Sequence, residues 1–224
     1  MAHALILSGA VTVDGHAATR PAQPVATAAS IEVARGEDYV SRGALKLERA
    51  LDHWGIEPSG QTALDVGAST GGFTDLLLRR GARKVYAVDV GHGQLHYRLR
   101  NDPRVVVMEH TNIRYLTELP ERVELGVVDV SFISLKLALP PMFALVQDEI
   151  VALIKPQFEA GRGQVGKGGV VRSPDVRQKV IEDLTAWSRT QSWRLTDTVE
   201  SPIKGPAGNV EFLSRWQPIM AREC

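Results

Sequence analysis

The chain has one cysteine in 224 residues, Cys224 at the last position. That leaves no partner for an internal disulfide and none of the clustered thiols of a structural zinc site, so no metal is expected. Net charge is missing too, because 26 Lys and Arg balance 26 Asp and Glu. Overall basicity therefore cannot hold this chain to nucleic acid, although a local basic patch can. No apolar run approaches the ~18 residues of a membrane span. The start shows no basic segment followed by a long apolar one. A cytoplasmic, monomeric protein with no membrane partner is the expectation. There is no internal repeat, and two near-motifs fail. The turn glycines Gly67, Gly71 and Gly72 do not make the G-x-G-x-x-G of a dinucleotide site. The run GRGQVGKG at 161–168 ends in Gly168 where a phosphate loop needs Ser or Thr, and no helix is signalled before Pro174. It reads as a flexible basic loop beside the active site, whose Arg162, Lys167 and Arg172 could touch RNA phosphates.

The chain is organised around TALDVGASTGGFTDLLL, residues 62–78. Apolar residues closing on Asp65-Val66-Gly67 predict a short buried strand, then a glycine turn, then a helix from Phe73. Strand, glycine turn and helix make the cofactor half of a doubly wound α/β fold. Asp65, just before the turn, is poorly placed for a pyrophosphate and well suited to a cation. S-adenosyl-L-methionine carries a sulfonium and an amino group. Asp89 closes the next strand, where an acid can accept from ribose hydroxyls.

Alternating strands and helices follow. Strands are predicted at 84–89, 104–108, 125–129 and 149–155, and helices at 135–146, split or kinked by Pro140-Pro141, and 175–188. The last two strands, 193–200 and 209–216, are joined by too short a link for a parallel crossover and predict an antiparallel pair. A helix capped by Ser41 is expected to run to Trp54. Its apolar positions Ala44, Leu45, Leu47, Ala50, Leu51 and a core Trp54 lie on one face, with Lys46 pointing elsewhere. Trp187, Trp193 and Trp216 are expected on the sheet's flank, and His92 and His96, four apart, on the surface. Residues 1–33, with short strands at 11–16 and 31–33, are too little for a core of their own. They read as part of a small domain, joined by a linker at 34–38 to a main domain over 39–224.

Lys46, Asp129, Lys155 and Glu211 flank apolar elements, where charges are costly unless paired or functional. With the cofactor turn they resemble the Lys-Asp-Lys-Glu tetrad of FtsJ-class ribose 2′-O-methyltransferases. YVSRGALKLERAL, DVGASTGGFTD, DVSFISL, LIKPQFEAGR, VGKGGVVR and GNVEF, spanning 39–212, resemble the TlyA family, also called haemolysin A. The resemblance implies a Rossmann-like class I methyltransferase fold, with a mostly parallel seven-stranded sheet whose last strand is antiparallel. It further implies methylation of cytidine ribose 2′-hydroxyls in ribosomal RNA, with ribosomal subunits as partners. By position, Lys155 is the implied general base. Asp129 would touch methionine and base, and Lys46 and Glu211 would fix the ribose and the lysine charges. Cofactor contacts are implied for Asp65, Gly67, Ala68, Ser69, Thr70, Gly71, Gly72, Phe73, Asp89, Asn112 and Asp129, with Asn112 near adenine. Residues 1–33 resemble only the C-terminal half of that family's N-terminal RNA-binding domain. Two other readings are an RNA-binding ribosome-assembly factor without turnover and a haemolysin. The second needs a membrane span or a basic amphipathic helix, and the sequence has neither. Amino-group methylation is disfavoured, because Asp129-Val130-Ser131-Phe132 stands where such enzymes carry an Asn/Asp-Pro-Pro-aromatic motif.

Overall fold

A computed structural model describes residues 11–18, 20, 23–33 and 39–219. The expected linker 34–38, Cys224 and the side chain of Arg162 lie outside the described residues. The chain forms two compact units, divided after Tyr39. In the first, β1 (Val11–Val13), β2 (His16–Ala17) and β3 (Ile31–Val33) pair antiparallel in the order β2-β1-β3. Asp14-Gly15 makes the tight turn with φ of 48° and 78°, and Asp14 Oδ1 accepts from Ser30 N at 2.8 Å.

The second unit opens with α1 (Gly43–Trp54), then β4 (Thr62–Val66), α2 (Gly72–Arg79), β5 (Lys84–Val88), α3 (Tyr97–Arg100) and β6 (Val105–Met108). After these come β7 (Val123–Val128), α4 (Leu135–Leu145), β8 (Val146–Ile154), α5 (Pro156–Glu159), α6 (Pro174–Ser188), β9 (Trp193–Glu200) and β10 (Phe212–Pro218). The sheet order is β6-β5-β4-β7-β8-β10-β9, and only β10 runs antiparallel. From β4 the chain winds outward through β5 and β6. It then returns to the other side of β4 as β7. That reversal opens a crevice beyond the carboxyl ends of β4 and β7, where open α/β sheets bind their ligands.

Strands buried on both faces account for the continuous apolar runs. Leu64, Val66, Val88, Val128, Ile150, Ala152 and Ile154 share one core with Leu139, Met142 and Trp216. Phe143 stacks on Trp193 at 5.5 Å, and Trp187 meets Trp216 edge-on at 6.0 Å, on the flank where the tryptophans were expected.

Several local expectations are corrected. The helix at 135–145 is not split by Pro140-Pro141. Burial of Leu135, Ala138, Leu139 and Met142 holds it, and the carbonyls that lose partners belong to half-buried Lys136 and exposed Leu137. The cap of α1 is Arg42, with Ser41 one residue outside, accepting from Gly43 N at 3.3 Å. In α1 the expected roles of two neighbours are exchanged: Leu45 is 38 % exposed and Lys46 only 7 %. Trp54 is half-buried rather than core, because its Nε1 donates to Asp197 Oδ2 at 3.0 Å on the surface. His92 and His96 do not share a helix face. His92 stacks on His110 and pairs with Glu109, while His96 caps α3.

Candidate active site

Two cavities open at the crevice. One, of about 420 Å³, is lined by Gly67, Ala68, Ser69, Thr70, Gly72 and Phe73 of the turn and by Lys46 and Asp129. The rim carries Arg42, Lys204 and Gly205. The other, of about 460 Å³, is lined by Asp89, Asn112, Arg114, Asp129 and Phe132, among others. Gly67, Ser69 and Asp129 line both, so a long ligand could thread from one into the other past them. Gly67 is required here: its φ is 83°, and a Cβ would stand 2.4 Å from the Asp129 carbonyl oxygen. Gly71, also expected on the cofactor, instead faces Leu95 and Leu99 and lines neither cavity.

The Asp89 carboxylate is oriented by two main-chain donors, Ser69 N at 2.8 Å and Gly91 N at 2.7 Å. Such an acid keeps lone pairs for a diol. Asn112 uses its Oδ1 on Arg114 N and Nε, leaving the amide NH₂ as the group it can offer. Asp65 lies deeper than expected. It is fully buried within β4 and lines neither cavity. Thr74 Oγ1 donates to its Oδ2 at 2.6 Å, while Oδ1 has no partner. Burial pushes its carboxyl up to about 7, and the charges of Asp129 and Asp89 add to the rise against the Thr74 bond.

The four tetrad residues form two pairs. Lys46 Nζ donates to Glu211 Oε2 at 2.7 Å, with both side chains buried. Glu211 sits just ahead of β10 and is packed so tightly on Gly205 that a Cβ there would stand 2.4 Å from its Oε1. Lys155 Nζ lies 2.5 Å from Asp129 Oδ1 and donates to Ser131 Oγ at 2.9 Å. The contact with Asp129 is ionic and outside hydrogen-bond angles, so Oδ1 accepts no hydrogen bond. Lys46 and Asp129 reach one cavity, with Glu211 and Lys155 as their partners behind them. Asn209 fixes the approach to Glu211. It accepts from Val171 N and donates to Gly169 O, each at 2.9 Å, tying down the end of the basic glycine loop. No helix follows that loop before Pro174.

Sequence reasoning missed Phe132. It is 90 % exposed, has φ of 64° and leans on Phe158 at 5.0 Å. A bulky residue in the left-handed region is an outlier, and such outliers gather at functional sites. The motif DVSFISL contained it, but nothing in a phenylalanine announces a positive φ. Also missed were Arg42 and Lys204, exposed cations with no ion pair among the described residues. No group of three or more His, Cys, Asp or Glu among the described residues could hold a metal ion. No helix among them is long and apolar enough to cross a membrane.

A seven-stranded doubly wound sheet with one antiparallel strand, its crevice flanked by acids after β5 and β7, defines the S-adenosylmethionine-dependent methyltransferase class. The chain belongs to the FtsJ-like methyltransferase family, whose model matches residues 39–217. It is 47 % identical over 216 residues to the 16S/23S rRNA (cytidine-2′-O)-methyltransferase TlyA of Mycobacterium tuberculosis, covering 93 % of this chain and 80 % of that protein. It is 43 % identical to Hemolysin A of Brachyspira hyodysenteriae, over 95 % of this chain and 90 % of that one. Among solved structures, one described as a hemolysin of Streptococcus thermophilus superposes with a TM-score of 0.81 at 40 % identity, covering 96 % of this chain and 81 % of that chain.

Proposed function

We propose that this enzyme moves a methyl group from S-adenosylmethionine to ribose 2′-hydroxyls of cytidines in ribosomal RNA. The observation that carries the reading is Asp129. It lines both cavities at the strand reversal and lies 2.5 Å from Lys155, the amine paired with it behind the cavity wall. The relatives named for cytidine 2′-O-methylation supply the substrate. Arg42 and Lys204 supply unpaired positive charge at the rim, and Phe132 an exposed ring for a base to stack on.

The cofactor fits these residues: Asp89 for the ribose diol, Asn112 beside the adenine, and Gly67 through Phe73 along the remainder. Gly71 supports the turn from behind. Asp65 stays outside both cavities, buried and bonded to Thr74 of the helix that follows the turn. Bound S-adenosylmethionine supplies an electrophilic methyl on a sulfonium. As the neutral amine, Lys155 has the lone pair that takes the proton of the 2′-hydroxyl as oxygen attacks, while Asp129 and Ser131 hold its Nζ. Lys46, fixed by Glu211, orients the ribose. We also propose that residues 11–33 belong to an RNA-binding unit distinct from the catalytic one. The test is transfer of tritiated methyl from S-adenosylmethionine to separated ribosomal subunits, followed by mapping of the product. Label at cytidine 2′-oxygens is expected; label confined to base nitrogens would overturn the reading.

A further inference from the structure

Resting on that reading, we propose that Glu159 is a positioning residue, which sets Lys155 against Asp129 by fastening together the two loops that carry them. Lys155 directly follows β8 and caps the single turn α5, which closes on Glu159. Asp129 directly follows β7, and residues 130–134 lead from it into α4. Glu159 reaches across. Its Oε2 accepts from Ser134 Oγ at 2.6 Å and its Oε1 from Leu135 N at 2.7 Å. Ser134 Oγ in turn accepts from Lys136 N at 3.1 Å.

The first turn of α4 is therefore capped by two side chains, one local and one from 24 residues further on. Free N–H groups and the positive end of the helix both favour an anion there. Glu159 makes no ion pair among the described residues. Burial raises its carboxyl above the usual range, opposed by these two donors and the charge of Lys136. A half-buried carboxylate held only by donors of the neighbouring loop is a structural tie between the two loops.

Two other ties cross the same gap: Lys155 with Asp129 and Ser131, and Phe158 with Phe132. Both involve groups placed next to the substrate. A general base changes charge during the reaction, so its own ion pair is a poor fixed anchor. Phe132 is strained at φ 64°, and such a conformation persists only where its surroundings over-determine it. Glu159 is the tie that stays constant through the reaction.

The test uses the full chain, with single-turnover methyl transfer at saturating ribosomal RNA, cofactor affinity by calorimetry, and amide hydrogen exchange. Glu159→Ala should slow transfer roughly 100-fold, the scale of a 1 Å misplacement, and Glu159→Gln about tenfold, since the amide keeps an acceptor for Leu135 N. The dissociation constant for S-adenosylmethionine and the KM for RNA should stay within about threefold, because the ties lie outside the cofactor turn. Exchange should quicken at 130–136 and stay unchanged in the strands of the sheet. If Glu159→Ala does not fold, Ser134→Ala, which removes one of the two bonds, should slow transfer about threefold to tenfold. Unchanged rates with unchanged exchange, or cofactor affinity lost in proportion to rate, overturns the proposal. If the wild-type chain methylates no RNA, it is the functional reading that fails. Exchange at 130–136 in Glu159→Gln still decides whether the tie exists.

Discussion

Asp65 is where single-residue physics reaches furthest. In the folded chain it keeps its proton up to about pH 7; unfolded, it gives the proton up near 3.8. Between those values the folded state binds more protons. Stability therefore falls as pH rises through this window and levels off above about 7. The displacement corresponds to at most roughly 4 kcal/mol. Asp65→Asn should flatten the curve, which urea unfolding at about pH 5 and about pH 8 would measure. An unchanged pH dependence would mean Asp65 ionises normally inside the sheet. At Lys155 the expected outcome is kinetic. Lys155→Arg should fail nearly as badly as Lys155→Ala in single turnover, because arginine keeps charge but cannot accept a proton. Both should still bind S-adenosylmethionine. Near-normal turnover by Lys155→Arg would assign Lys155 to positioning alone.

At the scale of elements, α1 shows what a sequence discloses and what it withholds. Its end at Gly55 and the burial of Ala44, Leu47, Ala50 and Leu51 were legible, and its cap only to within one residue. The burial of Lys46 was not, since its partner Glu211 arrives 165 residues later and no local pattern reports a pairing at that distance. The same limit hid Glu159 over Ser134. Strand identities were readable because parallel strands are apolar on both faces. Their ends were less so: β10 begins at Phe212 rather than Asn209, because Asn209 is occupied with Gly169 and Val171. Lys46→Ala should destabilise the fold by about 3–5 kcal/mol, because it strands a buried carboxylate. Lys46→Met with Glu211→Leu should recover much of that while staying inactive. Denaturation midpoints of the three chains would show it, and equal loss in single and double variants would contradict it.

For the whole molecule, zero net charge makes RNA binding depend on where charge sits. Arg42→Gln and Lys204→Gln should each weaken RNA binding and lower its salt slope by about 1, with cofactor affinity unchanged. Slopes equal to wild type would remove both residues from the RNA path. Removing residues 1–38 should weaken ribosome binding and leave S-adenosylmethionine binding intact; equal ribosome affinity would refute an RNA-binding role for the first unit. The order of the sheet has a consequence in time. β9 pairs only with β10, and β10 slots between β8 and β9 although it is made after both. During translation, then, one side of the sheet stays open until the hairpin's second arm leaves the exit tunnel, and Lys46 stays without Glu211 just as long. A nascent chain cannot close its catalytic centre while still tethered at residue 200. Chains stalled there should be cut readily by protease, and the released chain should resist. The enzyme would thus be withheld from ribosomal RNA by the very ribosome that is making it.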